Sequence, residues 1–276
     1  MFDCRHDLGD PSKGEAAYRE GHIAGALHAH LDRDLSGAKT GRNGRHPLPD
    51  ADRLAEWLGR SGLRNTDQVV AYDEGSGVFA ARLWWMLRWT GHDAVAVLDG
   101  GLAAWIRQGR PLTRAVDHFA RSEFHAVPNE TMSVDTESVL RNLSRRPGKS
   151  LPDEAGPDEK EFQLVDARGA NRFAGVDETI DPVGGHIPGA LNRPYMMNLS
   201  ADGLFKPAAE LRSEFDRLLS GRASADIVNQ CGSGVTACHN LLAMEIAGLS
   251  GARLYPGSWS EWCSDPERPV AVGALP

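Results

Sequence analysis

The chain contains the same series of short motifs twice, in the same order. The matched pairs are Phe2–Arg5 with Val165–Arg168, Gly21–Ala26 with Gly185–Ala190, Gly75–Val78 with Gly232–Val235, and Gly100–Trp105 with Gly257–Trp262. The last two pairs share an offset of 157 residues without a gap. Self-similarity at a fixed spacing indicates that one structural unit has been duplicated. A chain of 276 residues also has the length of about two ordinary domains.

Each copy alternates short apolar runs with helix-like segments. The predicted strands are residues 67–72, 94–98, 226–229 and 253–255. Helices are predicted between them, at 80–88 in the first copy and 235–247 in the second. Strands that alternate with helices form parallel sheets covered on both faces. The sequence therefore predicts an α/β fold in which each domain has a mostly parallel sheet flanked by helices.

The repeat places the two domains at residues 1–112 and 134–276, with a linker at 113–133. The second copy has a further predicted helix at 135–143 ahead of its first strand, whereas the first copy begins at the strand itself. Either the first copy lacks this helix or the true start of the protein lies upstream. Residues 147–157 are polar and acidic, and we expect an exposed loop there.

Charge and composition exclude several classes of protein. The formal net charge of −8 argues against binding to nucleic acid, and no apolar run reaches the length of about 18 residues that a membrane span needs. The first residues have neither the basic nor the apolar region of a signal peptide. With 4 scattered cysteines and no export signal, we expect reduced thiols and a cytoplasmic protein.

Cys231 stands where a predicted buried strand meets a predicted helix, which is where parallel α/β sheets place their sites. Gly232 and Gly234 allow the backbone to curl so that successive N–H groups point at one anion. The start of the helix adds partial positive charge, which favours the thiolate. We therefore expect a nucleophile whose loop, through Val235 and Thr236, holds a sulfur anion. The alternative is a buried structural cysteine beside a flexible loop.

The other cysteines fit structural positions better. Cys238 falls inside the predicted helix, Cys4 lies on the first strand, and Cys263 lies near the C-terminal end. Their spacing lacks the paired C-x2–4-C ligands of a zinc site, so no metal is expected. A cysteine phosphatase would need an arginine six residues after Cys231, to grip the phosphate, but Ala237 stands there. This residue argues against phosphate ester hydrolysis.

The chain resembles the rhodanese family over nearly its whole length. Two segments are similar to the family signatures: Gly185–Ala190, with the sequence GHIPGA, and Ala252–Trp262, with the sequence ARLYPGSWSEW. The loop Cys231–Thr236, CGSGVT, resembles that of 3-mercaptopyruvate sulfurtransferases, whereas thiosulfate-preferring members typically carry CRKGVT. The resemblance implies two tandem rhodanese-like domains, of which the second is catalytic.

The same resemblance implies a sulfurtransferase that uses no cofactor. The Cys231 thiolate would take sulfur from a small-molecule donor as a persulfide, and would pass it to cyanide, a small thiol or thioredoxin. The implied donor is 3-mercaptopyruvate, with thiosulfate as the alternative. A second class of function is a non-enzymatic module that carries a persulfide for a partner protein. Multiple turnover with release of a small product would separate an enzyme from such a carrier.

Further site residues follow from the resemblance one at a time. Arg172 matches a family arginine that binds the anionic group of the donor, for which a guanidinium is well suited. Ser233 would hydrogen-bond the sulfur or the departing enolate. His46 and Asp34 match a proposed Asp–His–Ser relay with Ser233, the alternative being ordinary hydrogen bonding within a loop.

The chain departs from the family pattern in two places. Residues 176–184, between Arg172 and the GHIPG motif, contain no arginine, so the second donor-binding arginine is missing or supplied from elsewhere. In the first copy, the ungapped offset places Glu74 at the position of Cys231, with Asp73 just before it. Because a carboxylate cannot form a persulfide, the first copy is predicted to be non-catalytic.

Overall fold

The computed structural model describes residues 1–145 and 160–276, so the predicted loop at 147–157 lies outside the described residues. The chain divides into two compact units. Unit one consists of Met1–Ala38, Leu48–Glu130 and Leu199–Phe205, and unit two consists of Lys39–Pro47, Thr131–Asn198 and Lys206–Pro276. None of the helices that the structure describes is long and apolar enough to cross a membrane.

Unit one contains a parallel four-stranded sheet with helices between its strands. Its elements are β1 (Phe2–Asp3), α1 (Ser12–Glu20), β2 (Leu27–His28), α2 (Ala51–Arg60), β3 (Val69–Tyr72), α3 (Val78–Trp89), β4 (Val95–Val97) and α4 (Gly101–Arg107). The strand order is β2-β1-β3-β4, and every pairing is parallel. Helix α3 is apolar almost all round and buried along most of its length, as its run of aromatic and aliphatic residues predicts.

Unit two repeats this architecture. Its elements are α5 (Thr136–Ser144), β5 (Gln163–Asp166), α6 (Ala170–Ala174), β6 (Leu191–Asn192), α7 (Ala208–Leu219), β7 (Ile227–Gln230), α8 (Thr236–Ile246), β8 (Arg253–Leu254) and α9 (Ser258–Trp262), with three short 3₁₀ turns along the chain at Glu130–Met132, Tyr195–Asn198 and Ser224–Asp226. The strand order is β6-β5-β7-β8, again all parallel. The predicted α/β class and the parallel sheet of each copy are confirmed.

The duplication extends to buried ion pairs. In unit one, Arg5 donates to both carboxylate oxygens of Asp3 and to the carbonyl of Gly21. In unit two, Arg168 makes the same bonds to Asp166 and to the carbonyl of Gly185. Each pair joins the end of a central strand to the glycine of a matched motif. This pairing explains why the two motifs are repeated together.

The predicted domain boundaries stay a prediction, because the compact units are divided differently. Much of the segment predicted as a linker lies in unit one, where Thr113 exchanges two backbone hydrogen bonds with His22 and Val127 donates to the carbonyl of Thr90. In addition, residues 39–47 belong to unit two. This last assignment matters for the site, because it includes Arg45 and His46.

The strand register corrects the predicted counterpart of Cys231. Asp3 pairs with Tyr72 in unit one, and Asp166 pairs with Gln230 in unit two. The residue after each strand is therefore Asp73 in the first copy and Cys231 in the second, so the prediction of Glu74 was wrong. The physical reason is that the loop of unit one takes one more residue than that of unit two to reach its left-handed glycine, Gly77 or Gly234. An ungapped offset cannot show this insertion.

Candidate active site

Cys231 lies directly after β7, at the carboxyl end of a central strand, and only 1% of its surface is exposed. Its backbone N–H donates to the Ser258 hydroxyl at 3.0 Å, and that hydroxyl donates to the Tyr255 carbonyl at 2.9 Å. The carbonyls of Cys231 and Gly232 accept bonds from the N–H groups of Trp259 and Ser260, at the start of α9. The motif that follows β8 thus fixes the backbone of the cysteine loop.

Gly234 makes the tight loop possible. Its φ is +74°, in the left-handed region that favours glycine. A Cβ atom at this position would also lie 2.4 Å from the carbonyl oxygen of Pro256, a distance that no side chain tolerates. Both conditions require glycine, so the loop can curl from Cys231 into α8 only with this residue.

The remaining cysteines lack the setting of a nucleophile. Burial raises the pKa of the Cys4 thiol well above its usual value, with the charges of Asp3 and Asp73 adding to the effect. Burial also raises the pKa of Cys263, to about 11. The Cys238 thiol donates to the Gly234 carbonyl at 3.2 Å, inside α8. The structural roles of these three cysteines stay a prediction.

Ser233 and His46 are in direct contact, although 187 positions separate them in the chain. The Ser233 hydroxyl lies 2.7 Å from Nδ1 of His46, and both side chains are buried. Both residues belong to unit two. A hydroxyl hydrogen-bonded to an imidazole can pass a proton to or from a reacting group.

Arg172 lies on the short helix α6 and faces the cysteine loop. Its two terminal nitrogens lie 3.7 Å from the position that a Cβ atom of Gly232 would occupy. Its Nε donates to both carboxylate oxygens of Glu178, at 3.0 and 2.9 Å, and its Nη2 donates to Asp181 at 2.8 Å. The guanidinium is thereby held in one orientation beside the loop.

Arg45 is a site residue that sequence reasoning missed. Its Nη2 lies 2.7 Å from the position of a Cβ atom at Gly232, and its Nη1 is hydrogen-bonded to Asp181. The only signal available was its position next to His46, which the sequence did single out. The two acidic residues 178 and 181 were also missed, because nothing in the sequence shows which carboxylates face an arginine.

The two carboxylates near Arg172 differ in their protonation behaviour. Burial raises the pKa of Asp181, and this effect outweighs the opposing charges of Arg45 and Arg172. Burial acts in the same direction on Glu178, but hydrogen bonds from Arg172 and from two backbone N–H groups leave its pKa below the usual value. As the pH falls, Glu178 therefore keeps its negative charge to a lower pH than Asp181 does.

Asp34, the predicted third member of the relay, belongs to unit one. There its carboxylate accepts a bond from the backbone N–H of His30 at 2.9 Å and pairs with Arg33 at 3.1 Å. These bonds close the turn that follows β2. The structure thus brings together Cys231, Ser233, His46 and Arg172 in unit two, and describes Asp34 in a local turn of unit one.

One group of metal-ligand side chains is found in the part of the chain that the structure describes: His6, His30 and Asp32 in unit one. However, Nδ1 of His30 accepts bonds from the backbone N–H groups of Asp32 and Arg33. A neutral imidazole that accepts at Nδ1 carries its proton on Nε2, so His30 is not prepared to bind a metal. The group offers two ligands, fewer than a zinc site needs.

The rhodanese-like domain family matches residues 1–108 and 154–265. A probable 3-mercaptopyruvate sulfurtransferase of Pseudomonas aeruginosa is 47% identical over 275 residues, 99% of this chain and 92% of that protein. The human 3-mercaptopyruvate sulfurtransferase is 38% identical over 251 residues, 89% of this chain and 78% of that protein. The solved structure of SseA from Escherichia coli, described as a 3-mercaptopyruvate sulfotransferase, has a TM-score of 0.75 at 33% identity over 94% of this chain and 91% of that chain.

Relatives named for a different donor also match. The rat thiosulfate sulfurtransferase is 34% identical over 266 residues, 93% of this chain and 82% of that protein. All of these curated relatives are sulfurtransferases, which confirms the predicted class of enzyme. With its repeated parallel sheet and two matches to one domain family, the chain belongs to the rhodanese family in its tandem two-domain form.

Proposed function

We propose that the chain transfers sulfur from 3-mercaptopyruvate to a thiophilic acceptor through a persulfide on Cys231. The Cys231 thiolate attacks the donor sulfur, so that an S–S bond forms while the donor C–S bond breaks. The electron pair of that bond goes to the carbon, which becomes the enolate of pyruvate and then takes up a proton. An acceptor next attacks the outer sulfur and releases the Cys231 thiolate, which is the ping-pong pattern of covalent catalysis.

The observation that carries this proposal is the hydrogen bond between Ser233 and His46 beside the cysteine loop. The leaving enolate needs a proton, and this pair can supply one by general acid catalysis. When thiosulfate is the donor, the group that leaves is sulfite, which needs no such proton. The pair therefore supports 3-mercaptopyruvate as the preferred donor.

Arg172 supports the same donor by its place beside Gly232. A guanidinium forms charge-assisted N–H bonds to a carboxylate, and 3-mercaptopyruvate has one carboxylate. The loop itself carries glycine and serine at positions 232 and 233, where thiosulfate-preferring relatives have arginine and lysine. A compact dianion thus lacks the two cations that the loop would otherwise supply.

The decisive experiment compares kcat/KM for 3-mercaptopyruvate and for thiosulfate at matched acceptor concentration. We expect the higher value for 3-mercaptopyruvate and release of pyruvate over many turnovers. A single turnover with persulfide left on the protein would instead favour a sulfur carrier. A preference for thiosulfate would show that cations outside the loop bind the donor.

We propose the family's relay for His46, with Asp34 as its third member. His46 and Ser233 are the part of this relay that unit two contains, and Asp34 belongs to unit one. Asp34→Asn tests the assignment because it keeps the shape of the side chain and removes the charge. A fall in kcat with 3-mercaptopyruvate, together with a changed pH profile, would support it, and an unchanged profile would leave a two-residue relay.

Cyanide, small thiols and thioredoxin are the proposed acceptors, in a cytoplasmic setting. All 4 cysteines are free, and a reducing compartment would keep Cys231 as a thiol. Reduced thioredoxin is tested by following its oxidation in the presence of donor and catalytic amounts of the protein. Fractionation of the source cells tests the compartment.

A further inference from the structure

The anion-binding part of the site contains a second guanidinium that comes from a distant segment. No arginine occurs at residues 176–184, on the side of the loop where Arg172 is anchored. Arg45, which precedes the relay histidine in the segment Lys39–Pro47 of unit two, brings its guanidinium to the same Cβ position of Gly232 that Arg172 faces. The two arginines thus meet beside the residue that follows the nucleophile.

Asp181 holds the two guanidiniums together. One of its oxygens bonds to Nη1 of Arg45 and the other to Nη2 of Arg172. The Asp181 side chain is 2% exposed, whereas those of Arg45 and Arg172 are 31% and 23% exposed. The carboxylate therefore forms the buried base of the cluster, and the arginines extend from it towards the surface of the site.

Each arginine keeps one nitrogen for a ligand. Within residues 1–145 and 160–276, Nη2 of Arg45 and Nη1 of Arg172 have no hydrogen bond to a protein group, and both lie near Gly232. Two positive groups are balanced by Asp181 and Glu178, so the cluster has little net charge. Such a cluster recognises a ligand by the geometry of its N–H groups more than by total charge, which suits a planar monoanion better than a compact dianion.

We infer that Arg45 is a specificity-determining residue, which together with Arg172 holds the carboxylate of a 2-oxo acid thiol beside Cys231. This inference rests on the proposed function, since it assigns the group that binds the donor of that reaction. Arg45 takes the place of the arginine that residues 176–184 lack.

The same geometry explains why residue 232 is glycine. The φ of Gly232 lies outside the left-handed region, so its backbone conformation does not require glycine. The space beside its Cα is instead filled by Nη2 of Arg45, 2.7 Å from where a Cβ atom would be. A side chain at position 232 and the observed position of Arg45 therefore exclude each other.

The first test measures steady-state kinetics of Arg45→Ala and Arg45→Lys with 3-mercaptopyruvate. Loss of a charge-assisted pair costs about 1.5–3 kcal/mol, or roughly 10- to 150-fold. We expect this factor as a rise in KM for Arg45→Ala, with kcat within about 3-fold of wild type on the same grounds, and a partial recovery with lysine. Arg42→Ala, an exposed arginine of the same segment, is the matched control and should leave both constants unchanged.

Discharge of a preformed Cys231 persulfide by dithiothreitol, a neutral acceptor, should be equally fast in wild type and Arg45→Ala. This half-reaction separates donor binding from damage to the loop. If wild type shows no turnover with 3-mercaptopyruvate, the proposed function fails. If wild type turns over and the KM of Arg45→Ala is unchanged, the proposed function stands and the inference about Arg45 is overturned.

A double-mutant cycle with Gly232→Ala gives a second, independent test. In the wild-type background the new methyl group displaces the Arg45 guanidinium, so KM should rise. In the Arg45→Ala background the methyl group meets only the Arg172 nitrogens, at the ordinary contact distance of 3.7 Å. We therefore expect it to add less than about 2-fold to KM, since only coupled residues depart from additivity. Additive effects of the two substitutions would show that Arg45 does not occupy that space in solution.

Discussion

The loop after β3 in unit one and the loop after β7 in unit two have the same position in the fold but hold different side chains. In unit one the Asp73 carboxylate accepts N–H bonds from Gly75, Gly77 and Phe79, at 2.9–3.0 Å, and a longer one from Ala80 at 3.5 Å. In unit two the corresponding residue is Cys231. In unit one the N–H groups of this loop thus converge on an anion attached to the residue that follows the strand.

The chemistry of the two side chains makes the comparison closer. The carboxylate oxygens of Asp73 lie two bonds beyond its Cβ atom, and the outer sulfur of a cysteine persulfide also lies two bonds beyond Cβ. Unit one therefore has a permanent acidic group at the place where unit two would hold a charge only during turnover. The difference supports the proposal that unit two is the catalytic copy and unit one is not.

The largest expected effect comes from removing the sulfur atom of Cys231. Cys231→Ser should abolish sulfur transfer, because an alcohol cannot form a persulfide. Mass spectrometry of the wild-type protein after donor treatment should show about 32 Da added to Cys231 alone, the mass of one sulfur atom in persulfide chemistry. Persulfide on Cys4, Cys238 or Cys263 with an unmodified Cys231 would contradict the assignment.

Cys231→Asp is the matched control for the comparison of the two loops. It places in unit two the residue that unit one already has at the equivalent position. We expect an inactive protein that unfolds at a temperature no lower than Cys231→Ser, because the loop N–H groups can bond to the new carboxylate. A markedly less stable aspartate variant would show that the two loops are not equivalent.

Ser233→Ala should have the next largest effect. It removes the 2.7 Å contact with His46 and so the proposed proton donor, and general acid catalysis is worth typically 10²- to 10⁴-fold. We expect this loss in kcat with 3-mercaptopyruvate and a much smaller one with thiosulfate. Ser76→Ala, in the corresponding loop of unit one, is the control and should leave both activities unchanged. Equal losses with both donors would assign Ser233 to binding of the sulfur instead.

Arg172→Ala should weaken donor binding by a smaller factor. Its loss removes one of the two guanidiniums beside Gly232, at a cost of about 1.5–3 kcal/mol, or roughly 10- to 150-fold in KM. Arg19→Ala is a suitable control, because Arg19 lies on α1 of unit one, outside the site, and is exposed. An unchanged KM for both donors would remove Arg172 from the site.

The sequence predicted the elements that build the sheets, because each motif occurs twice in the chain and the two copies could be compared. The strand at 67–72 and the helix at 80–88 are found as β3 and α3, and the helix at 135–143 is found as α5 with Asp135 as its N-cap. Cys231 was predicted for the same reason, since strand, glycines and helix are all local signals. A helix cap and a strand end depend on neighbouring residues that the sequence displays.

The residues that the sequence missed act across long separations. Arg45 and Asp181 are 136 positions apart, and no periodicity or spacing links them. The alignment of Glu74 with Cys231 failed for a related reason: the extra residue of the first loop is visible only in the pairing of Asp3 with Tyr72. Contacts and insertions of this kind are set by the tertiary structure, and a motif comparison within one chain contains no information on them.

The smallest expected effect concerns the anion in unit one and its dependence on pH. Burial raises the pKa of Asp73 above its model-peptide value, and the backbone N–H bonds oppose this shift without cancelling it. The folded state therefore binds a proton more strongly than the unfolded state. It follows that the carboxyl group contributes less stability as pH rises from about 4 through its raised pKa.

Asp73→Asn tests the sign of this effect, because asparagine resembles the protonated carboxyl group and does not titrate. We expect the melting temperature of the variant, relative to wild type, to rise as the pH increases from 4 to 7. The corresponding change in the free energy of unfolding is about 1.4 kcal/mol for each unit by which the pKa is raised. Activity should be unchanged, since Asp73 lies outside the site in unit two. A relative melting temperature that falls over the same range would show that the N–H bonds outweigh burial. The loop of unit one would then stabilise an anion outright, and the related loop of unit two would be expected to favour the persulfide anion of Cys231.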